Sequence, residues 1–316
     1  MKTYLPLVLF LGLGTFVSLP AAEVRFDNSN NKEVKVFLDG EHFTTYLYRY
    51  GQKPIFWPIY GPDHTAMTRE YPMRDPNAKK FPFDSFDHIH HRSLWFTHGS
   101  VNGVDFWSEF SGSGFILHRK FVKLEAPVMV TRNDWMDRDE NIVLEDERTM
   151  TFGADAQGRW IDFEICLMAT RGEVKFGDTK EGSFGLRVPG VLDVDKKQGG
   201  KIVNAEGLVN ADAWGKQSAW VDYHGTLNGK PAGIAIMNHP TSARFPTYWH
   251  VRTYGLFAAN PFGVRDFTGD ESQNGTLLLK KGESVTFKYR VYFHRGDQTS
   301  GNVAENFQQY AGKIDN

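Results

Sequence analysis

The stretch Trp160-Ile-Asp-Phe-Glu-Ile-Cys-Leu-Met168 alternates apolar and polar side chains along its whole length. Alternation with a period of two is typical of a β-strand that has one buried and one exposed face. Similar runs, rich in β-branched and aromatic residues, occupy residues 34–38, 44–50, 142–149 and 284–294. These runs predict an all-β protein built from short strands.

A turn sequence joins two further strand-like segments. Leu227-Asn-Gly229 lies between residues 218–223 and residues 233–237. Asn and Gly both tolerate positive φ, so this pair favours the type I′ turn of a β-hairpin. The sequence therefore predicts antiparallel pairing on either side of this turn.

Residues 280–283 are predicted to join residues 277–279 to residues 285–292 in a second hairpin. Helical periodicity is convincing only around residues 302–310. Short strands, frequent Gly and Asn turns and few helices favour a large antiparallel β-sandwich, of which a mutarotase-like supersandwich is one form. A short C-terminal helix completes the predicted fold.

Composition excludes several classes of protein. The chain has 316 residues, of which 41% are hydrophobic and 23% charged, and its formal net charge is −2. These values exclude a disordered tail, a polytopic membrane protein and a nucleic-acid binder driven by charge. Aromatic residues reach 14%, and such a content suits both strands and a concave ligand surface.

The N-terminal residues have the pattern of a secretory signal peptide over residues 1–22. Lys2 supplies a positive charge, residues 5–17 are apolar, and Leu19-Pro-Ala-Ala22 offers small residues for cleavage. We therefore expect an exported protein, periplasmic or extracellular, with no stable membrane insertion after cleavage. The chain has a single cysteine, so no internal disulfide forms, and residues 23–316 are expected to be one β-sandwich domain with a sizeable core.

Histidines are concentrated in one segment, residues 86–107. In an extended strand His88 and His90 would share a face and His91 would point the other way. One hypothesis is that His88, His90 and His98 ligate a divalent metal, which would be the cofactor of a metal-dependent oxidoreductase. The other is that His91 transfers a proton while His90 and Trp95 contact a bound polar ligand.

A second segment, residues 176–188, embeds charged residues among glycines. Glycine lets the backbone approach a ligand closely. Glu181 is the preferred carboxylate partner for acid–base work, and Arg187 is expected to hold an anionic or hydroxylated ligand.

Further polar residues follow downstream at predicted strand ends. His239 precedes Pro240, which ends a strand, and we predict that it is a third acid–base residue. In residues 248–252 one face would carry Trp249 and the other His250 and Arg252. The residues of this region predicted to bind substrate combine aromatic rings with polar groups, as a sugar site requires; they are His224, Trp249, His250, Arg252 and Asn260.

Together these residues predict a carbohydrate-active enzyme that acts on a saccharide or glycoside. His91, Glu181 and His239 would transfer protons in a hydrolase, lyase or mutarotase-like reaction. A non-catalytic carbohydrate-binding protein is the alternative, since it would need the aromatic residues but not the histidines. Basic residues are not clustered, so a nucleic-acid partner is not expected.

Four motifs resemble one known family: His90-His-Arg-Ser-Leu-Trp-Phe-Thr-His-Gly99, Asn102-Gly-Val-Asp-Phe-Trp107, Asp178-Thr-Lys-Glu-Gly182 and Tyr254-Gly-Leu-Phe-Ala-Ala-Asn-Pro-Phe-Gly263. The chain resembles the uncharacterised exported bacterial family labelled PmoA-like, over roughly residues 34–296. The resemblance implies an exported protein of polysaccharide-degrading bacteria and hence carbohydrate work, and it implies no particular catalytic residues. The methane monooxygenase in the label has membrane subunits, whose transmembrane helices this sequence lacks, so that activity is not expected.

Overall fold

The computed structural model describes residues 22–74 and 83–312. The signal peptide predicted over residues 1–22 lies outside these ranges except for Ala22. Two eight-stranded antiparallel sheets and one two-stranded sheet account for the strands in these ranges. This architecture confirms the predicted all-β class and the antiparallel β-sandwich. Neither range contains a helix long and apolar enough to cross a membrane.

Strands are numbered in chain order. The first sheet contains, from edge to edge, β1 (Val24–Asp27), β2 (Glu33–Leu38), β3 (Glu41–Leu47), β4 (Ile55–Ile59), β5 (Leu94–His98), β11 (Gly182–Arg187), β16 (Leu256–Asn260) and β15 (Tyr248–Val251). The second sheet contains β12 (Lys201–Asn204), β13 (Trp220–Leu227), β14 (Lys230–Asn238), β18 (Ser284–Arg295), β9 (Gly158–Met168), β8 (Ile142–Ala154), β7 (Val128–Met136) and β6 (Phe115–Glu125).

The remaining elements are short. Strands β10 (Val174–Phe176) and β17 (Leu277–Leu279) form the small sheet. Single 3-10 turns cover Val194–Lys196 and Asn210–Ala213, and helix α1 covers Val264–Thr268. Helix α2 covers Val303–Ala311 and confirms the predicted C-terminal helix.

The core lies between the two large sheets, and the alternation in β9 shows how the sequence builds it. Ile161, Phe163, Ile165 and Leu167 all join the central hydrophobic cluster, while the residues between them are more exposed. Across the layer, Phe163 packs edge-on against Phe184 of β11 with ring centroids 4.9 Å apart. Burial of these apolar side chains, at about 25 cal/mol per Å² of apolar surface, holds the sheets together without a disulfide.

The first predicted hairpin is present. Strands β13 and β14 pair from Trp220↔Met237 to Leu227↔Lys230. The two turn residues, Asn228 and Gly229, have φ angles of 50° and 77°. Positive φ at both positions is the requirement of a type I′ turn, so the local sequence alone determines this connection.

The second predicted hairpin is wrong. Strand β17 pairs with β10 in the small sheet, whereas β18 pairs with β9 and β14. Long-range pairing in the second sheet therefore overrides the local turn at residues 280–283.

Each large sheet also has a face turned away from the core, which we call its outer face. On the outer face of the first sheet, Trp95, Leu256 and Ala258 belong to a separate small cluster. On the outer face of the second sheet, Trp220 and Tyr292 pack with Tyr310 of helix α2. The two outer faces lie on opposite sides of the central core, so a residue on one cannot contact a residue on the other.

Candidate functional site

Polar and aromatic side chains converge on the outer face of the first sheet, where β5 and β11 lie side by side. Trp95 of β5 pairs with Gly185 of β11. A Cβ on Gly185 would lie 2.6 Å from Trp95 Cζ2, so only glycine leaves room for the indole to lie across the neighbouring strand. Arg187 follows two residues later on the same face, as the two-residue period of a strand requires.

The histidine segment is a turn and not the strand that we predicted. Residues 84–92 contain no strand, His88 and Ser93 have φ angles of 46° and 58°, and His91 N–H donates to the His88 carbonyl at 2.9 Å. The turn brings the rings of His88 and His91 into a parallel stack with centroids 4.7 Å apart. His88 and His91 therefore share a surface, contrary to the prediction from strand geometry.

One buried arginine holds this turn in place. The Arg69 guanidinium donates to Tyr71 O at 3.1 Å, Ser85 O at 2.9 Å, Asp87 Oδ1 at 2.7 Å and His88 O at 3.0 Å. Burial, together with the nearby Arg187 charge, lowers the pKa of Arg69 to about 10, which leaves it a cation at neutral pH. Arg69 was not predicted from the sequence, because all but one of its acceptors lie 16 to 22 residues further along the chain.

Arg187 connects this turn to the sheet. Its guanidinium lies 3.2 Å from Asp87 Oδ1 and 3.0 Å from His91 Nδ1. Because a guanidinium only donates, His91 Nδ1 must accept, and the neutral ring carries its proton on Nε2. Burial lowers the pKa of His91 well below its ordinary value, and the nearby His90 and Arg187 lower it further. His91 is thus a neutral hydrogen-bond donor at physiological pH.

His88, His90, His91 and Asp87 form what we call the histidine cluster. His88 is its accessible histidine. Its Nδ1 lies 3.0 Å from Asp87 Oδ2, and its side chain is 41% exposed. The ring stacks between His91 and Tyr254, whose centroid is 5.4 Å away. Burial alone would raise the pKa of Asp87, but Arg187 and Arg69 hold it below its ordinary value. Asp87 is therefore an ionised carboxylate that orients an exposed imidazole.

His90 lies on the inner side of the cluster. Its ring packs against those of His91, at 4.4 Å, and Trp107, at 6.3 Å. Burial and the nearby Lys53 lower the pKa of His90 to about 4. Lys53 itself donates to the His90 carbonyl at 2.9 Å and to Glu109 at 2.7 Å, so buried charges hold both sides of the turn.

Glu181 does not join the cluster. Its side chain is 42% exposed and lies 3.5 Å from Lys180 Nζ. His250 Nδ1 contacts the Lys180 carbonyl at 2.7 Å, and Asn260 donates to the Thr179 carbonyl at 3.0 Å. His250 and Asn260, predicted to bind substrate, thus hold the turn that carries Glu181. Burial lowers the pKa of His250 to about 4.

Trp249 and His98 are packed into the interior. Trp249 belongs to the central cluster, and its indole N–H donates to the Ser218 carbonyl at 2.9 Å, which corrects its assignment to substrate binding. His98 Nε2 contacts the Gly177 carbonyl at 2.8 Å and Nδ1 lies 3.3 Å from Ser183 Oγ. Both ring nitrogens of His98 are engaged, so it does not share a site with His88 and His90.

His239 and His224 lie on the outer face of the second sheet. His239 follows β14 and packs against Tyr310 of helix α2, with centroids 4.8 Å apart. His224 Nδ1 lies 2.5 Å from Asp222, whose other oxygen lies 2.7 Å from His294 Nε2. The expectation that His239 and His224 share one site with His91 is therefore wrong, because the core separates the two faces.

The metal hypothesis gains no ligand set. Across residues 22–74 and 83–312, no three His, Cys, Asp or Glu side chains are placed to hold a metal ion together. His88 and His90 are near each other, with centroids 5.8 Å apart, but His98 is engaged elsewhere.

A model of a family of unknown function, DUF6807, matches residues 33–308. The match confirms the resemblance to an uncharacterised family, and the PmoA-like label stays a prediction. No curated protein sequence matches the chain.

Three solved structures illustrate what the fold is similar to. A galactose mutarotase-like protein from Lactobacillus casei is 9% identical, with a TM-score of 0.31 over 86% of this chain and 100% of that one. A GalM/aldose epimerase homologue from C. elegans is 9% identical, with a TM-score of 0.35 over 88% and 100%. A glycoside hydrolase family 97 enzyme from Pseudoalteromonas in complex with acarbose is 8% identical, with a TM-score of 0.33 over 86% and 34%. TM-scores this low carry no inference about the site.

Proposed function

The chain belongs to this family of unknown function, DUF6807, and we propose that it is an exported carbohydrate-active enzyme in which His88 transfers a proton at a sugar. The observation that carries the proposal is the pairing of His88 Nδ1 with Asp87 Oδ2 at 3.0 Å on an accessible surface. A carboxylate on one nitrogen fixes the tautomer and leaves the other nitrogen as a base.

The neighbours of His88 suit a sugar. Tyr254 stacks on one face of the His88 ring and His91 on the other, so the ring edge that carries Nε2 is the part of His88 left to face a sugar. Three exposed apolar side chains surround the turn: Phe86 at 54% exposure, Ile89 at 45% and Phe110 at 65%. Such exposure of large apolar groups is typical of a binding surface.

The charges favour proton transfer over hydrolysis. A hydrolase needs two carboxyl groups on either side of the scissile bond. In this cluster the carboxylate beside His88 is Asp87, and it is held by Arg69 and Arg187. In the proposed reaction His88 Nε2 accepts a proton from the sugar and delivers it to the ring oxygen as the ring C–O bond breaks (mutarotase), back to carbon (epimerase), or to the leaving oxygen as the C–O bond is eliminated (lyase). His91 is buried behind His88, where it stacks on the His88 ring and accepts from Arg187, so its role is to hold the His88 ring in position. This is the chemistry of a mutarotase, an epimerase or a lyase.

The test compares His88→Gln with wild type on a panel of monosaccharides and oligosaccharides. Products are separated by chromatography, and anomeric exchange is followed by NMR. We expect His88→Gln to lower the rate about 100-fold or more, since general acid–base catalysis contributes roughly 10²–10⁴.

His64→Gln is the matched control. His64 is also exposed and also pairs with a carboxylate, Glu41, at 2.6 Å, but it lies outside the cluster. Equal rates in wild type and His88→Gln contradict the proposal. Binding of sugars without any conversion would make the chain a carbohydrate-binding protein instead.

A further inference from the structure

A small cleft lies beside the histidine cluster, next to the end of β15. It has a volume of about 230 Å³ and is lined by Ala211, Trp214, Val251, Arg252 and Thr253. The volume per molecule of liquid water is about 30 Å³, so the cleft holds several waters or part of a sugar ring.

Arg252 is the charged group of this cleft. Its guanidinium carbon lies 5.7 Å from the Trp214 ring centroid and 5.5 Å from that of Tyr254. Among the residues that the structure describes, its side chain makes no ion pair and no hydrogen bond. Its main chain is fixed, because its N–H donates to the Leu256 carbonyl at 2.7 Å. Arg252 is thus a positioned cation without a counter-ion.

Two arginines near the histidine turn, Arg92 and Arg187, are neutralised by carboxylates. Arg92 forms a bidentate ion pair with Glu109, with N–O distances of 2.7–2.9 Å, and Arg187 forms an ion pair with Asp87. Two acidic residues near the cleft already have partners: Asp195 accepts from the Thr253 hydroxyl at 3.2 Å, and Glu181 lies beside Lys180. Arg252 thus differs from Arg92 and Arg187 in having no carboxylate partner among the described residues.

Trp214 adds a donor to the same wall. Its indole Nε1 is buried and has no acceptor within the described ranges. A buried donor without a partner is unfavourable, and an oxyanion bound by Arg252 would provide an acceptor next to it.

Tyr254 joins the cleft to the proposed reaction centre. The Arg252 guanidinium contacts its ring, and the same ring stacks with His88. Tyr254 therefore lies between His88 and Arg252, so a ligand that spans Tyr254 would reach His88 at one end and Arg252 at the other.

We infer that the substrate is a saccharide bearing an oxyanion, either the carboxylate of a uronic acid or a sulfate ester, and that Arg252 binds this group. This inference rests on the proposed function and names its substrate class. The planar guanidinium offers paired N–H donors that match two oxygens of either group.

The experiment measures binding by titration calorimetry with galacturonate, galactose 6-sulfate and galactose. We expect at least one anionic sugar to bind wild type 10-fold or more tightly than galactose. Arg252→Gln should weaken the binding of that sugar roughly 10–100-fold, which is the range for losing a hydrogen bond to a charged group. The affinity for galactose should not change. Arg252→Lys should bind the anionic sugar with an affinity between those of wild type and Arg252→Gln, since lysine keeps the positive charge but lacks the paired N–H donors of a guanidinium.

Arg171→Gln is the matched control, because Arg171 is an exposed arginine paired with Glu145 at 3.3 Å outside the cleft. Added NaCl should weaken the binding of anionic sugars to the wild-type protein, because salt screens the attraction between charges. This measurement needs no variant. The inference is overturned if all three sugars bind alike, if none binds, or if folded Arg252→Gln binds the anionic sugars as wild type does.

The inference and the proposed function fail separately. Binding that depends on Arg252, with no reaction that depends on His88, refutes only the catalysis. A reaction that depends on His88, with equal affinity for neutral and anionic sugars, refutes only the assignment of Arg252.

Discussion

Trp95 lies flat across Gly185, and the space that a Cβ on Gly185 would need is filled by the indole ring. The same indole stacks on His91, with centroids 5.4 Å apart and planes 17° apart. The position of His91 therefore depends on the absence of one methyl group on the adjacent strand.

Gly185→Ala should destabilise the protein by about 1–3 kcal/mol, the usual cost of overpacking. The displaced indole should also change the near-UV circular dichroism, because Trp95 would leave its stack with His91. Urea unfolding measures the first effect. Gly112→Ala is the control, since a Cβ there has nothing within 4 Å; equal stability of the two variants would contradict the packing described.

Asp87→Asn should cost about 1–3 kcal/mol, because Arg69 and Arg187, both nearly fully buried, would lose their charged acceptor. The amide keeps one acceptor oxygen, so the variant should fold, but with a looser turn. Urea unfolding is again the measurement, and Asp139→Asn, at an exposed position, should change stability by less than about 0.5 kcal/mol. If Asp87→Asn leaves the free energy of unfolding unchanged, Arg69 and Arg187 do not need the charge of Asp87 to be stable in the folded protein.

Stability should fall as pH decreases from about 6.5 towards 4. Four buried histidines have their pKa lowered to about 4, mainly by burial: His90, His98, His118 and His250. A lowered pKa means that the unfolded chain binds protons first, so the stabilisation is present above pH 6.5 and is lost as pH falls.

His98→Gln isolates one of these groups. At 1.36 kcal/mol per pKa unit, His98 contributes up to about 3 kcal/mol to this pH dependence. Urea unfolding between pH 7.5 and 4.5 should show that the free energy of unfolding falls less steeply with decreasing pH in the variant than in wild type. A wild-type stability that is flat across this range would refute the prediction.

Asp222→Asn should destabilise by about 3 kcal/mol or more, because it breaks a fully buried ion pair with His294. Burial opposes the charge on His294, but Asp222 outweighs it and raises the pKa of His294. The pair therefore stabilises the fold fully below pH 6.5, and this contribution is lost as pH rises through the raised pKa. The decrease in the free energy of unfolding caused by Asp222→Asn should thus be larger at pH 6 than at pH 9. The opposite trend would contradict the charges assigned to Asp222 and His294.

Local patterns predicted much of the fold. The alternation in residues 160–168 correctly marks the core-facing side of β9, and Asn228-Gly229 correctly marks a hairpin. The two faces of residues 248–252 were also correctly assigned, with Trp249 and Val251 in the core. Patterns of this kind succeed because they depend only on neighbouring residues.

The site was only partly predictable. The histidine segment and Arg187 were predicted from the sequence, but His88 was predicted only as a metal ligand and Asp87 was not predicted at all. Residues 88–91 were predicted as a strand, whereas a distant arginine, Arg69, holds them in a turn. Residues that become neighbours through long-range contacts leave no spacing in the sequence to detect.

The dependence of the histidine turn on Arg69 bears on how the family can diversify. Arg69 anchors residues 85–88 from outside the strands, so the turn can change in length or sequence without disturbing the sandwich. Relatives that keep this anchor but differ between residues 83 and 92 are expected to share the scaffold and to differ in the surface that the turn presents.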